Sequence, residues 1–366
     1  MKKRGFNDWF RRLLKFVLFV ALMLTAAVFA LRSTGVGEIV FGSKIIEEPV
    51  FRKSIERDPI TEEEYREIKR NSFEKLFGSI SKQMEQQKMA VADKNAAKPD
   101  LGIAPNELYS ENVCLMDAVT GEIIFAIKEN QVVYPASLTK IMTTMVAVDQ
   151  IEDYDQTYVV PPALVEEMIW EDASMAGFAG GETVTVRDLI YGTMLPSGGE
   201  AAIGLAEAVS GSEAEHVNKM NEKAHQLGLR KTHFTNVTGL HDDKNVSTAK
   251  ELAELVRVGL RDEVFKKVFT RHDYISTETT EHPYGVHMMY SVLAYMDSLQ
   301  PSGYKVHGGK TGYTEQAALC LASTATVGNR DYILVTLGAL PYDALSKFHF
   351  IDADVIYTAL ANSGIQ

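Results

Sequence analysis

A serine and a lysine three residues apart are the pair in this chain best suited to covalent catalysis. Ser137 and Lys140 open an apolar run that follows Tyr134 and Pro135, and Pro135 predicts a helix whose first turn contains Ser137. Residues i and i+3 share one face of a helix, so the amine of Lys140 can reach the hydroxyl of Ser137. A serine hydroxyl needs a neighbouring base, and lysine is a base only if burial or positive charge lowers its pKa. The pair predicts a nucleophile and its general base, although Ser-x-x-Lys also occurs by chance on solvated helix faces.

Two further short motifs follow the Ser-Lys pair in chain order. They are Ser197-Gly198-Gly199 and Lys310-Thr311-Gly312. A Ser-x-x-Lys, Ser-x-Asn, Lys-Thr-Gly series is typical of penicillin-binding proteins and class A β-lactamases. Each motif alone is weak, whereas the three in this order favour catalysis at Ser137.

The chain resembles the serine D-alanyl-D-alanine carboxypeptidases, which are low-molecular-weight penicillin-binding proteins of peptidase family S11. The similarity covers about residues 105–366 and extends beyond the motifs to the segments YPASLTKIMT, VRDLIYGTMLPSG and GGKTGYTEQAALCLA. It implies an α+β fold of the penicillin-binding protein/serine β-lactamase type. In that fold a five-stranded antiparallel sheet is flanked by helices, and the site lies at the edge of the Lys310 strand.

The resemblance implies a catalytic role for three residues. Ser137 would attack the carbonyl between the last two D-alanines of a peptidoglycan stem peptide, and Lys140 would take the serine proton. Ser197 would pass a proton to the departing D-alanine amine, and water would then hydrolyse the acyl-enzyme. No metal or cofactor is expected, and β-lactams are the expected inhibitors.

The third motif is implied to bind the substrate. Lys310 would supply positive charge that helps keep the base neutral, and Thr311 would bind the terminal carboxylate. The backbone N–H groups of Ser137 and Tyr313 would form the oxyanion hole, with Gly312 between the threonine and the tyrosine.

Two departures from the family pattern affect the site. Gly199, which the resemblance places at a substrate-binding position, stands where the family usually has Asn, whose amide bridges the lysine and the substrate. Glu200 could replace that amide, a water could fill the gap, or activity could be reduced. Near the C-terminus, where the family often has an arginine for the substrate carboxylate, this chain offers Lys347 or His349.

These residues favour a serine carboxypeptidase, with other functions left open. A transpeptidase, an endopeptidase or a β-lactamase could use the same fold and the same nucleophile. A catalytically impaired relative that only binds peptidoglycan is the non-enzymatic alternative, and Gly199 is its main support.

The hydrophobic pattern predicts where the supporting elements lie. Strands are expected over 111–117 and 122–128 at one end of the catalytic region, and over 317–326 and 331–340 at the other. Helices between and after them are expected over 186–194, 201–210, 212–227, 248–260 and 350–362, with Ser247 as an N-cap. Strands from both ends of a chain with helices between them indicate one antiparallel sheet in an α+β domain.

The N-terminus reads as an export signal or a membrane anchor. Residues 1–15 hold six basic residues and one acid, and residues 16–31 are uncharged and apolar. We expect residues 1–31 to be a retained anchor, although Thr25-Ala26-Ala27 offers a cleavage site. Residues 32–104 are expected to form a stalk with an amphipathic helix over 61–91, followed by the catalytic domain over 105–366. The domain would face the outside of a bacterial cell membrane, or be secreted if the signal is cleaved.

Composition and net charge indicate which kinds of partner the chain can bind. The chain has 366 residues, 46% of them hydrophobic and 23% charged, which is ordinary for a globular protein. Its net charge of −12 gives it no general attraction for nucleic acid. The two cysteines, Cys114 and Cys320, lie in apolar runs and are expected to be buried free thiols.

Overall fold

The computed structural model describes residues 101–289, 295–296, 299, 303–341 and 346–365. The expected anchor, stalk and 61–91 helix lie outside these residues. Within the part that is described, no helix combines the length and apolar character needed to cross a membrane.

The chain order of the elements is strands, then helices, then strands again. The elements are β1 (Asn112–Asp117), β2 (Ile123–Ile127), α1 (Thr139–Gln150), β3 (Thr157–Val159), α2 (Pro162–Trp170), β4 (Thr183–Thr185), α3 (Val186–Met194), α4 (Gly199–Ser210), α5 (Glu213–Gln226), α6 (Ala249–Gly259), α7 (Glu263–Phe269), β5 (Asp273–Ile275), β6 (His287–Met289), β7 (Tyr304–Thr314), β8 (Ala318–Val327), β9 (Arg330–Ala339) and α8 (Phe348–Asn362).

The main sheet joins the two ends of the described chain. Its five strands lie in the order β2-β1-β9-β8-β7, and every neighbouring pair is antiparallel. Helices α6 and α8 pack on it, which explains why its central strands are buried almost throughout. The α+β fold with a five-stranded antiparallel sheet is confirmed, and β7 is one of its two edges.

Helix α1 is the central helix of the layer beside the sheet. Every residue from Thr139 to Val148 is buried, and the helix contacts α3, α4, α5 and α6. A helix that is buried on all sides belongs in the interior of a large domain. Its N-terminus therefore has a fixed position in the core, directly after Ser137.

Several predicted boundaries differ from the structure. Ser137 lies in a separate 3₁₀ turn, Ala136–Leu138, and not in the first turn of the α-helix. Thr248, not Ser247, caps α6, because its hydroxyl accepts the N–H of Glu251 at 3.1 Å. Ser247 instead exchanges a hydrogen bond of 2.8 Å with Thr232.

The two cysteines are buried thiols and not a disulfide, as predicted. Burial raises the pKa of the Cys320 thiol to about 12. The thiol is therefore protonated and unreactive at neutral pH, and it serves as part of the packed core.

Candidate active site

The turn that carries Ser137, Ala136–Leu138, is called the nucleophile turn below. It lies between two backbone segments that approach it closely. Ala136 has a φ of +47°, which is a strained value for an L-residue. A Cβ on Gly239 would lie 2.0 Å from the Ala136 carbonyl oxygen, and a Cβ on Gly312 would lie 2.9 Å from the Ser137 nitrogen. Only glycine fits at both places, so the fold presses the turn against β7 on one side and the loop at 238–239 on the other.

The structure brings Ser137 and Lys140 together. The Lys140 Nζ lies 3.2 Å from the Ser137 Oγ and donates to the Thr238 carbonyl oxygen at 2.5 Å. Only 3% of Lys140 is exposed. Burial lowers the pKa of Lys140 to about 7, and the nearby Glu200 charge opposes this shift. A substantial fraction of the amine is therefore neutral at pH 7 and can act as a base.

Ser197 and Lys310 form a second hydroxyl–amine pair. The Lys310 Nζ donates to the Ser197 Oγ and to the Thr311 carbonyl oxygen, both at 2.8 Å. Lys310 is 1% exposed, and burial followed by repulsion from Lys140 holds its pKa well below its usual range. Ser197 has a φ of +67°, a strained backbone of the kind that collects at active sites.

Strand β7 supplies one wall of a cleft of about 770 Å³ that is also lined by Ser137, Lys140 and Ser197. Thr311, Gly312 and Tyr313 contribute to this wall, and Tyr313 is half exposed. Because β7 is an edge strand, an extended peptide can pair with it.

Gly199 does not contribute to the cleft lining. Its N–H donates to the Ser174 carbonyl oxygen at 2.7 Å. A Cβ at this position would lie 2.7 Å from the Met168 Sδ and 3.3 Å from the Ala173 Cβ. The space next to Gly199 is thus filled by the buried Met168, which belongs to α2.

Glu200 is engaged with a loop, which does not support the idea that it replaces the family's amide. It is fully buried, and its Oε1 accepts the N–H groups of Ala176 at 2.7 Å, Gly177 at 2.9 Å and Phe178 at 3.4 Å. Burial raises the pKa of Glu200, and these N–H groups partly offset the shift. Glu200 therefore fastens the loop over 172–178, called the rim loop below, to the start of α4.

Thr238 is a site residue that sequence reasoning missed. Its carbonyl oxygen accepts from Lys140, and the Ser137 hydroxyl lies 3.5 Å from the same oxygen. The Asn236 Oδ1 accepts from the Gly239 N–H at 2.7 Å and from the Thr238 hydroxyl at 3.2 Å, which orders this loop. Side-chain motifs cannot reveal a backbone acceptor, because every residue type carries a carbonyl oxygen.

Lys347 and His349, the expected replacements for the family's arginine, both line the cleft. His349 is buried, and burial lowers its pKa to about 3. Its imidazole is therefore neutral at pH 7, so the ammonium of Lys347 is the better partner for a substrate carboxylate.

The sequence of the chain matches a known family of enzymes. The family described as D-alanyl-D-alanine carboxypeptidase, Peptidase_S11, matches residues 93–340. The chain belongs to this family. A Bacillus subtilis member, D-alanyl-D-alanine carboxypeptidase DacF, is 34% identical over 250 residues, which are 66% of this chain and 61% of the relative. The chain thus spans about three fifths of that relative's length.

Other members of the family differ in their named activity. A D-alanyl-D-alanine endopeptidase of Pseudomonas aeruginosa is 29% identical over 76% of this chain and 84% of its own length. The crystal structure of the Streptomyces K15 DD-transpeptidase superposes with a TM-score of 0.62 at 27% identity, covering 73% of this chain and all of that one. The same fold therefore occurs in proteins named for three different activities.

Proposed function

We propose that this chain is a serine D-alanyl-D-alanine carboxypeptidase that removes the terminal D-alanine from peptidoglycan stem peptides through an acyl-enzyme at Ser137. The observation that carries the proposal is the buried Lys140 amine, 3.2 Å from the Ser137 hydroxyl, with a pKa of about 7. A neutral amine at hydrogen-bond distance is what activation of a serine requires.

Acylation begins when the peptide lies along the edge of β7. Lys140 takes the proton of Ser137 as the Oγ attacks the carbonyl carbon between the two D-alanines. The negative charge that forms on the carbonyl oxygen is stabilised by the backbone N–H groups of Ser137 and Tyr313. The close approach of Gly312 to the Ser137 nitrogen supports this pairing of donors.

Departure of D-alanine requires a proton on its amine. As the C–N bond breaks, the Ser197 hydroxyl, which Lys310 contacts at 2.8 Å, passes its proton to the amine and takes the proton held by Lys140, so that Lys140 is neutral again. Thr311, Lys310 and Lys347 bind the terminal carboxylate. Water then attacks the ester, and Lys140 accepts its proton and returns it to the Ser137 Oγ as the C–O bond breaks. A β-lactam would acylate the same hydroxyl.

The test uses the full chain in detergent, with Ser137→Ala as the control. The protein is incubated with a fluorescent penicillin and, separately, with diacetyl-L-Lys-D-Ala-D-Ala. We expect covalent labelling and release of D-alanine, both lost in Ser137→Ala. Folded protein that gives neither signal would favour a peptidoglycan-binding role without catalysis.

Transpeptidation is the second candidate, supported by the similarity to the Streptomyces K15 DD-transpeptidase structure. The acyl-enzyme is the same, and an amine replaces water as the acceptor. Adding an amino-acid acceptor to the peptide assay separates the two functions, because a transpeptidase forms the exchanged peptide faster than it releases the hydrolysed one.

We also propose that the catalytic domain acts outside the cell, attached to the membrane by residues 1–31. The basic flank and apolar run of these residues support it. Protease added to intact cells should digest the catalytic domain, and deletion of residues 1–31 should abolish this accessibility.

A further inference from the structure

Asp172 gives the cleft a negative charge that the mechanism does not use. Among the described residues that line the cleft, it is the only one with a carboxylate. The residue is exposed, and its side chain has no hydrogen bond or ion pair with any residue in the described part of the chain.

The local backbone disfavours an aspartate at this position. Asp172 follows the C-terminus of α2, its N–H donates to the Ile169 carbonyl oxygen at 3.2 Å, and its φ is +52°. Glycine is the usual residue at such a left-handed helix end. A carboxylate there also faces the negative end of the helix dipole. Both the positive φ and the helix dipole therefore make an aspartate at position 172 less stable than a glycine would be.

The rim loop that carries Asp172 is firmly supported. The Ala173 N–H donates to the Met168 carbonyl oxygen at 3.0 Å, and the Ser174 carbonyl oxygen accepts from Gly199 at 2.7 Å. Glu200 holds the next part of the loop through the N–H groups of Ala176 and Gly177. Asp172 thus has a fixed place beside the second catalytic motif, as a specificity-determining group requires.

We propose that Asp172 binds an ammonium group on the acyl-donor peptide, namely the side-chain amine of a diamino acid that precedes the two D-alanines. Of the two lysines that line the cleft, Lys140 acts on the nucleophile and Lys347 binds the terminal carboxylate. The single carboxylate complements a positive group elsewhere on the peptide. This inference rests on the proposed function and makes Asp172 a specificity residue.

The test compares two peptides that differ only in that charge. Nα-acetyl-L-Lys-D-Ala-D-Ala keeps its ε-ammonium, and its Nε-acetylated form does not. We expect the full chain to show a kcat/KM about two- to fivefold higher for the free amine at low salt, as for an exposed ion pair. The preference should shrink in high salt.

Three variants decide the assignment. Asp172→Asn should bring the ratio between the two peptides to about one, whereas Glu171→Gln, which removes the adjacent exposed acid outside the cleft, should keep it. Asp172→Gly should also lose the ratio while raising Tm, because glycine relieves the positive φ. A ratio that persists in folded Asp172→Asn and Asp172→Gly would overturn the proposal, and so would a wild-type ratio of one.

A binding measurement separates this inference from the proposed function. In the Ser137→Ala background, the Kd of each peptide is measured with and without Asp172→Asn. Tighter binding of the free amine that depends on Asp172 would support the inference even if the wild-type chain released no D-alanine. Equal Kd values for the two peptides would overturn it even if the chain were an active carboxypeptidase.

Discussion

Burial of single residues determines the chemistry of the cleft. A solvated lysine has a pKa of about 10.4 and is fully charged at pH 7, so it cannot take a proton from serine. Lys140 is 3% exposed, and the loss of solvation lowers its pKa to about 7. The same side chain at a solvated helix face would be inactive, which is the physical difference between the chance motif and the catalytic one.

The pH dependence of acylation should report this residue. Lys140 is active only when neutral, so kcat/KM for penicillin acylation should rise about tenfold per pH unit below pH 7 and level off above it. Stopped-flow labelling between pH 5.5 and 8.5 measures the profile. A rate that is flat across this range in folded protein would show that Lys140 is not the base.

The close contact between position 199 and Met168 is a second property that single residues determine. A Cβ at position 199 would meet the buried Met168 Sδ at 2.7 Å. We therefore expect Gly199→Asn to destabilise the chain by about 1–3 kcal/mol through overpacking and not to speed acylation. The double variant with Met168→Ala should recover stability. Faster acylation by Gly199→Asn without loss of Tm would instead show that the amide reaches the cleft.

At the scale of elements, the site is the meeting of a turn, a strand and a loop. The nucleophile turn before α1 lies between β7 and the loop at 238–239, and glycines at 239 and 312 allow both approaches. The rim loop is fastened to α4 by the carboxylate of Glu200. The backbone contacts between these elements hold the two serines and two lysines in place.

Gly312→Ala should separate β7 from the nucleophile turn. The added methyl would lie 2.9 Å from the Ser137 nitrogen and 3.0 Å from the Ala136 Cβ. A displacement of about an ångström at the oxyanion donors should lower penicillin acylation about 10- to 100-fold. Lys305→Ala, an exposed position on the same strand, is the control and should acylate normally. Normal acylation by Gly312→Ala would exclude the proposed role of this contact.

At the scale of the whole molecule, stability depends on a helical layer that carries buried polar groups. His216 on α5 is fully buried. Its Nε2 donates to the Thr143 carbonyl oxygen at 3.0 Å, so its Nδ1 accepts from the Ser210 hydroxyl at 2.9 Å. This one ring connects α1, α4 and α5. Burial lowers its pKa to about 4.

This histidine should make the chain acid-sensitive. The unfolded state takes up a proton near pH 6.5 and the folded state only near pH 4, so stability falls as pH decreases through this window. The loss from this group is about 3 kcal/mol, at roughly 1.4 kcal/mol per pKa unit. Urea unfolding at pH 7 and pH 4.5 measures it, with His216→Gln as the comparison. An equal loss in His216→Gln would assign the acid sensitivity to other groups.

The sequence predicted the fold class and most elements because their hydrophobic periodicity is strong. Helix α3 was predicted at its observed bounds, and the hairpin of β8 and β9 to within a residue or two. The predicted N-cap of α6 was wrong because Ser247 and Thr248 both carry a hydroxyl that could cap the helix. Ser247 bonds Thr232 instead, and Thr248 caps the helix. The short strands β3 to β6 were missed, since three residues carry almost no periodic signal.

The sequence by itself determined the family, the candidate nucleophile, the two lysines and the departure at Gly199. Each of these depends only on which residues are present and on their spacing along the chain. Only the tertiary structure decided that Lys140 is buried beside Ser137, that Thr238 contributes a carbonyl and that Met168 fills the space at Gly199. It also showed that Glu200 supports a loop and that Asp172 faces the cleft. These properties depend on contacts between residues distant in the chain, and burial, which shifts the pKa values, exists only once those residues have packed together.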